Sequence, residues 1–593
     1  MASLTAQQQE AVQHDGHLLV VAGPGSGKTA TSVAKATRIL RDPARSLVMV
    51  TFTKEAAEEM RKRVAVALAR AQLAVPSEER LLLGTFHSIA IRHLKRHGLR
   101  SKVLGPAQQD ILYRDAAFSV GVDKSDWAEV QNDFERIMYS VDQQAAKVSD
   151  IARSVYARYR SMVTATGQVD LYSVMRDCAL RAHRGDIPPL PYTDMLVDEG
   201  QDIDDLQRHW IFAHANAGSV VTIVGDDDQS IYEWRNALGY EGMRSFLEKY
   251  RAHRVELGDN FRCRAEILTA ASRLIGLNEK RLGKKLVARR GTGGAICAVQ
   301  APSSDGQNEL LAELMKTTPE QHRDAAVLAR TNRSLDRLEI ALKASQVPYS
   351  RLGRSIWDQP VIAGYVGLLQ TLLDATPAGL LPIMQLRRVS DGARSDLVHA
   401  LGSDASSFLD GELPASVSWE STDEPILKEL ARSFCYWRRQ LRPGDNGLGG
   451  SVREVILEVG EQYAAATKSD HNKDLVSLCS RILADLRGTL SARLRLVSKK
   501  DRSPEKAPVI LMSMHGAKGL EFETVHAIDV NDGDDGAKVR PEAERRLMYV
   551  ALTRAKNCCV VWTTGRPHPS LAEAAIVAKH GQDALVETVR SAR

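Results

Sequence analysis

The stretch Leu18–Ala36, LLVVAGPGSGKTATSVAKA, decides the fold. Its apolar run reads as a buried strand, its small residues as a loop and its continuation from Lys28 as a helix. Backbone N–H groups between Gly23 and Gly27 can approach phosphate oxygens because few β-carbons stand in the way, and the helix adds its positive N-terminal end. Lys28 suits the charge of the β- and γ-phosphates, and the Thr29 hydroxyl suits Mg²⁺. The pattern is A-x-x-x-x-G-K-T, with Ala22 where the strict phosphate-loop pattern has glycine. Ala22, Gly23, Pro24, Gly25, Ser26, Gly27, Lys28, Thr29 and Ala30 are therefore the candidate ATP cradle. The bland alternative is a glycine-rich turn between a strand and a helix.

Outward from that loop the first quarter of the chain keeps a βαβ rhythm: HLLVVA, the loop, SLVMVTF, then the helical KEAAEEMRKRVAVALARAQ. From about 88 to 190 strand patterns give way to helical ones, before DMLVDEGQD and SVVTIVGDDD resume buried-strand patterning. This predicts an α/β unit with an insertion. A second alternating region begins near residue 295, is interrupted around 376 and resumes at APVILMSMHG, which predicts a second split α/β unit. The turn-rich stretches LDGELPASVSWESTDEP and RPGDNGLGGS and the charged linker VSKKDRSPEKAP read as flexible. The 593 residues are enough for about four units of ordinary domain size. With 79 Lys+Arg against 74 Asp+Glu the net charge is only +5, so affinity for a polyanion must come from local surfaces. Seven cysteines without a C-x-x-C pair or zinc spacing argue against a disulfide framework or a metal cluster. No apolar run reaches membrane-span length, and the N-terminus has no signal-peptide pattern, which predicts a soluble, cytoplasmic protein, nucleoid-associated if bacterial.

Two further segments carry chemistry. In DMLVDEGQD an apolar strand delivers Asp198 and Glu199 at its end, one carboxylate for the Mg²⁺ shell and one to orient and deprotonate a water. Such a pair is also found in ordinary solvated turns. In GDDDQSIYEWRN, Gly225–Asn236, three carboxylates and Gln229 precede Tyr232, Trp234 and Arg235. Acid and amide groups suit a phosphate with its metal, whereas aromatic rings beside an arginine suit unpaired bases. In an extended stretch Tyr232 and Trp234 share one side. Five residues reach at most roughly 17 Å, enough to pass from a phosphate site to a neighbouring strand of unpaired bases. The rings lack core-type neighbours, although a core position is the alternative.

These strings, with LTAQQQEAV, TFTKEAAEEM, GTFHSIAIRHL, LGDNFRCRAEIL, RLGKKL, VLARTN, MSMHGAKGLEF and EAERRLMYVALTRAK, resemble in order and spacing the UvrD/Rep/PcrA-like DNA helicases of superfamily 1. The resemblance implies two RecA-like P-loop domains with mainly parallel sheets, each carrying a largely helical insertion. Its boundaries would be 1–87 with 191–262, insertion 88–190, 263–375 with 506–593, and a shortened insertion 376–505. It implies ATP and Mg²⁺ as cofactors, with Thr29 and Asp198 on the metal. Lys28, Glu199, Gln229, Arg262 and Arg554 would be catalytic, the two arginines reaching the γ-phosphate across the cleft. Gln8 would read adenine, Phe261 would stack on it and Glu521 would contact the ribose. Phe52, Thr53, Thr85, His87, Tyr232, Trp234, Arg235 and His515 would meet single-stranded DNA. The basic run Lys280–Arg290 is open between a solvated face and a nucleic-acid contact.

The implied activity is ATP-driven 3′-to-5′ translocation with separation of duplex DNA in repair, recombination or replication restart. Single-stranded DNA and duplex junctions are the implied partners, with a repair, recombination or nuclease protein and no membrane. The pattern departs in three places. Gly200 replaces a larger residue after Asp-Glu, which suggests a looser water-positioning loop; VNDGDDGAKVRPEAERR lacks a Phe-Pro stretch; and no tyrosine-bearing wedge hairpin follows Arg554. The last departure motivates an alternative, a DNA-stimulated ATPase switch or loading subunit that does not itself unwind duplex.

Overall fold

The computed structural model describes residues 4–98, 102–123, 126–233, 236–353, 355–441, 452–486, 488–498, 509–533 and 541–579. Six strands, β1 (Leu18–Ala22), β2 (Leu47–Thr51), β3 (Leu81–Thr85), β4 (Asp194–Val197), β5 (Val220–Gly225) and β6 (His253–Leu257), form one sheet. Its order is β3-β2-β4-β5-β1-β6 and every pairing is parallel. Strands β1, β2 and β4 are buried at every residue, as apolar strands covered on both faces must be. Helices Phe86–Arg96, Leu171–Arg184 and Asp205–Asn216 pack on Leu19, Val21, Val48 and Val50. Helices Lys28–Arg41 and Lys54–Arg70 cover Leu47 and Met49 from the other side.

Because the strands are parallel, their carboxyl ends emerge along one edge, where ligands bind in such sheets. Strand β5 lies between β4 and β1, with Ile223 opposite Val197 and Gly225 opposite Val21. Three loops thereby become neighbours: the phosphate loop after β1, Asp198–Glu199 after β4 and the acidic loop after β5.

A two-residue ribbon, β7 (Asp259–Asn260) with β8 (Val287–Ala288), leads into the second lobe. There β9 (Ala295–Gln300), β10 (Ala325–Ala329), β11 (Tyr349–Arg351), β12 (Val509–Ser513), β13 (Phe522–Ile528), β14 (Ala555–Thr563) and β15 (Ala578–Lys579) form a parallel sheet ordered β11-β12-β10-β13-β14-β9-β15. Helices Ala265–Ile275 and Pro541–Leu552 share one core with it, and helices Ser304–Thr317 and Asn332–Ala344 another. The two-lobed α/β architecture with mainly parallel sheets is the one expected from the sequence.

The helical insertions have cores of their own, with limits that differ from those the patterning suggested. The first separate core runs from Leu104 to Val163, whereas Ile89, Leu94, Val174 and Cys178, on the flanking helices, are buried against the first sheet. The second takes in helix Pro360–Asp374 through Ile362, Tyr365 and Leu369. An apolar helix face shows that a helix is packed but not against what. The stretch 409–425, read as flexible, places Leu413 and Trp419 against this second core. Residues 442–451, 499–508 and 534–540, which include most of the other turn-rich and charged stretches, lie outside the described residues. All seven cysteines are free. Among the described residues no helix is long and apolar enough to cross a membrane.

The helix Asp205–Asn216 starts from Asp204, whose carboxylate accepts the Gln207 N–H at 2.8 Å. Burial pushes this carboxyl up to about 7, against the pull of the Gln207 and Leu206 amides. The folded protein therefore holds a proton that the unfolded chain has released above its usual value near 4, and stability falls as pH rises from about 4 to about 7. Asp204→Asn keeps the cap without the buried charge. We expect a higher unfolding midpoint than wild type at pH 8, by about 2–4 °C per kcal/mol relieved, closing to no difference near pH 4, as measured by thermal melts.

Candidate nucleotide and nucleic-acid site

The phosphate loop is shaped by two left-handed glycines, Gly25 (φ 60°) and Gly27 (φ 80°), the latter just before the helix that begins at Lys28. It is tied at both ends. Ser26 Oγ donates to the Gly23 carbonyl at 2.8 Å, and Asn260 Nδ2 donates to the Pro24 carbonyl at 2.6 Å. The Gly25 carbonyl accepts the Phe261 N–H at 2.9 Å. Gln8 is 6% exposed and donates to the Ser26 carbonyl at 2.9 Å, held there by a reciprocal cap with Thr5. Gln8 thus touches the loop itself. Ala22 is fully buried at the end of β1, where the apolar core of the sheet continues. Thr29 is half-buried and Ala30 exposed.

Behind the loop, Lys28 Nζ stands 3.7 Å from Glu199 Oε2. Asp198 and Glu199 differ sharply although adjacent. Burial and the neighbouring Glu199 push the Asp198 carboxyl up to about 7, and its Oδ1 is buried without a hydrogen-bond partner. Burial would also raise Glu199, but Lys28, Lys518, the Gln201 amide and Arg554 outweigh it and hold that carboxyl at about 2. Glu199 is therefore an anion at neutral pH, the form a base requires. Its backbone is left-handed (φ 52°), a strained conformation for a residue with a β-carbon that turns its side chain off the strand axis. Gly200 does not loosen this turn: a β-carbon there would sit 2.3 Å from Ile223 Cγ2, so a larger residue would require Ile223 or the loop to shift, and glycine lets the loop lie close on β5. The buried, unpartnered oxygen of Asp198, lining the same cleft as the Thr29 hydroxyl, fits a hard divalent cation with oxygen ligands.

The loop after β5 has a different division of labour from the one its composition suggests. Asp226, Asp227 and Asp228 come close enough to share an ion, and the charge they share is the ammonium of Lys284, at 2.8, 3.0 and 2.6 Å. Arg281 adds two contacts to Asp228, at 3.0 and 2.7 Å, and Asp227 accepts the Leu282 N–H at 2.6 Å. The three carboxylates therefore clamp part of the basic run Lys280–Arg290 rather than facing nucleotide, and the Lys284 side chain is fully buried. Gln229 is the group left for the cleft. Its Nε2 donates to Asp226 Oδ2, and its Oε1 accepts from Arg554 Nη2 at 3.0 Å across the lobes.

Arg554 is 1% exposed, and burial together with the charge of Arg262 lowers its guanidinium to about 9, still a cation at neutral pH. Arg262 Nε donates to Glu521 Oε2 at 2.7 Å, and Arg262 Nη1 donates to the Thr553 carbonyl at 3.3 Å. The structure thus brings Arg262, Glu521 and Arg554 to one place opposite the phosphate loop. Phe261 is 48% exposed beside Gly25, a free ring face next to the cradle.

A cleft of about 510 Å³ joins this chemistry to the other half of the site, lined by Thr29, Asp198 and Glu199 and also by Phe52, Thr53, His87 and Tyr232. Phe52 packs edge-on against Phe86 with ring centres 5.5 Å apart. Burial lowers the His87 imidazole below its usual range, leaving it neutral. Thr53 and Thr85 cap helices, accepting the N–H groups of Ala56 and Ser88. Tyr232 is half-buried rather than free: it packs against the second-lobe core and its hydroxyl donates to the His515 carbonyl at 3.3 Å. Trp234 and Arg235 lie outside the described residues.

Three residues in this site are not among the sequence candidates, and a fourth is among them only as part of the basic run Lys280–Arg290. Gln201 donates to Glu199 at 2.6 Å and accepts the Asp226 N–H at 2.9 Å, so it joins the loops after β4 and β5. Asn260 accepts the N–H groups of Arg262 and Cys263 while reaching Pro24. Lys518 crosses the lobes to both oxygens of Asp202, at 2.7 and 2.6 Å, and to the Gln229 carbonyl at 3.0 Å, and its Nζ lies 4.9 Å from the Tyr232 ring centre. Lys284 is the fourth. Each lies within a quoted string, but polar residues inside strings carry no sign of which partner they meet.

Fold and site together define a two-lobed P-loop nucleoside triphosphatase whose nucleotide cleft continues into a groove of aromatic and small polar side chains. Residues 4–250 match the UvrD/REP helicase N-terminal domain, and residues 255–356 and 454–564 match the UvrD-like helicase C-terminal domain. The chain belongs to the UvrD-like helicase family. It is 28% identical to DNA helicase II of Escherichia coli strain K12, over 93% of this chain and 83% of that protein. It is also 28% identical to the ATP-dependent DNA helicase PcrA of Leuconostoc citreum, over 93% and 80%. Identity to the ATP-dependent DNA helicase UvrD1 of Mycobacterium tuberculosis is 27%, over 93% and 81%.

A β-carbon at Gly27 would meet Gln8 Nε2 at 2.6 Å and force a residue with a side chain into φ 80°. Gly27→Ala is expected to cost about 1–2 kcal/mol of loop geometry and to weaken ATP binding about tenfold, as measured by nucleotide titration.

Proposed function

We propose that this chain is an ATP-driven motor that moves 3′ to 5′ along single-stranded DNA and separates duplex ahead of it. The observation that carries the reading is the shared cleft: the carboxylates suited to hydrolysis and the side chains suited to a nucleic-acid strand line one continuous space. Lys28 neutralises the β- and γ-phosphates, with Gln8 and the exposed Phe261 at the adenine and Glu521 at the ribose. Thr29 and Asp198 would hold Mg²⁺, which supplies charge neutralisation on the phosphates. Glu199, ionised at neutral pH, takes the proton of the attacking water. Arg262 and Arg554 supply the positive charge that the transition state needs, and since Arg262 of the first lobe contacts Glu521 of the second while Arg554 of the second contacts Gln229 of the first, hydrolysis requires the lobes to close. The relatives' names, each an ATP-dependent DNA helicase or DNA helicase II, support DNA as the polymer.

Coupling follows from Lys518. It binds the Gln229 carbonyl and lies over the Tyr232 ring, so a shift of the second lobe on ATP binding disturbs both ends of the loop at once. Phe52, Thr53, Thr85, His87, Tyr232, Trp234, Arg235 and His515 form the strand-binding groove in this reading. We take the two sheets and the helices packed on them as the motor lobes, and the separate helical cores, the one from Leu104 to Val163 and the one that takes in helix Pro360–Asp374, as the insertions that meet duplex junctions or a repair partner.

One observation favours a second reading, a DNA-gated ATPase that does not unwind. Among the described residues after Arg554, β14 is followed by a single antiparallel bridge, a five-residue helix and the short parallel strand β15, with no hairpin to act as a wedge.

The test is ATP hydrolysis with and without single-stranded DNA, together with unwinding of 3′-tailed and 5′-tailed duplexes. We expect stimulation by the strand, unwinding only from the 3′ tail, and no hydrolysis by Lys28→Ala. A motor shows a release lag that grows with strand length, whereas a switch shows none. Tyr232→Ala is expected to weaken strand binding by ~1–3 kcal/mol, independent of sequence, in fluorescence anisotropy. Normal hydrolysis by Lys28→Ala would refute the assignment.

A further inference from the structure

The basic strap after helix Ala265–Ile275 holds a lysine with no exposed side-chain surface. Taking the motor reading as given, we infer that Lys284 is a positioning residue for hydrolysis: it acts through Asp226 to fix which end of the Gln229 amide faces Arg554.

The argument begins with donor and acceptor counts. A guanidinium can only donate, so the Gln229 atom 3.0 Å from Arg554 Nη2 must be the carbonyl oxygen Oε1. That leaves the Nε2 end, a donor, turned to Asp226 Oδ2, which accepts. The state of Asp226 depends in turn on its countercharge. Asp227 and Asp228 have further partners in the strap, the Leu282 N–H and the Arg281 guanidinium. For Asp226 the cation in contact is Lys284, 2.8 Å from Oδ1. Burial already pushes the Asp226 carboxyl upward, and Lys284 is the strongest pull against it. Without that ammonium Asp226 would take a proton and donate to Gln229. The amide would then turn over and set its own donor against the donor of Arg554, a repulsive contact in a buried place.

The strap reaches the second lobe as well. Arg546, on the helix that leads to Arg554, donates to the Lys280 carbonyl at 3.0 Å, and Glu542 of that helix accepts the Glu279 N–H at 2.8 Å. Lys284 is therefore anchored to the lobe that carries Arg554 while it sets the residue that Arg554 must meet.

Asp226→Asn is the decisive variant because it keeps shape. Its oxygen stays on Lys284, so its amide donates toward Gln229 and inverts the pattern. With saturating single-stranded DNA, we expect kcat for ATP hydrolysis to fall about tenfold or more, with KM for ATP and strand affinity within about twofold of wild type. Lys284→Met should show the same split. Arg281→Met, which weakens the same strap through Asp228 without touching Asp226, should keep kcat within about twofold. Wild-type kcat in Asp226→Asn, a rise in KM in place of the fall in kcat, or an equal loss in Arg281→Met would each overturn the inference. Should Lys284→Met fail to fold, Asp226→Asn decides alone. A wild-type protein that does not hydrolyse ATP would instead bring down the motor reading, and this inference with it.

Discussion

The structure turns on one side chain held between two lobes. Gln229 leaves the end of β5 in the first lobe, gives its amide hydrogen to Asp226 and accepts from Arg554 of the second. An amide is suited to this place because it is the neutral group with a donor at one end and an acceptor at the other. A carboxylate would repel Asp226, and an apolar side chain would take one buried hydrogen bond from Arg554 and one from Asp226, which is costly. The link across the cleft is a hydrogen bond of ordinary length that a bound phosphate could replace at Arg554, so it can be exchanged during a cycle.

Everything that makes this contact possible lies in the parallel sheets. In the first, β1, β5 and β4 adjoin, so three loops that carry opposite charges and different chemistry end within reach of each other. Opposed fields then separate their roles. The same cleft that raises Asp198 toward neutrality holds Glu199 ionised, because Lys28, Lys518 and Arg554 converge on the second carboxylate and leave the first buried with an unpartnered oxygen. Two adjacent acids in one turn therefore suit a metal ligand and a base.

The lobes are joined by charge as much as by apolar contact. Lys518 reaches Asp202, Lys284 reaches three aspartates, and Arg546 reaches Glu233 at 2.6 Å. Such pairs are poor sources of stability because each ion must first be stripped of water. They specify register instead: a small displacement between lobes costs several contacts together, so the interface favours discrete positions over a continuous slide. That behaviour suits a device in which closure around a nucleotide has to shift a groove by a defined amount.

Much of this was legible in the sequence. Buried five-residue strands read as apolar runs, the glycines from Gly23 to Gly27 announce a loop that phosphate can approach, and the order of the charged strings identifies the family, because local pattern and composition suffice for each. The alternation of strand and helix also predicts the two lobes. What patterning could not supply is the partner of any polar side chain. GDDDQ reads as a phosphate and metal loop, yet its acids hold Lys284, which lies 56 to 58 residues further along the chain and only 2.6 to 3.0 Å away. Gly200 reads as a loosened turn, yet it is packed so close to Ile223 of the adjacent strand that a β-carbon there would make that side chain shift. Sequence alone determined which elements form and which groups are available for chemistry, since backbone propensity and side-chain type are local properties. Only the tertiary structure decided which acid stays ionised and which arginine meets which amide, because burial and countercharge come from segments that are distant in the chain and adjacent in space.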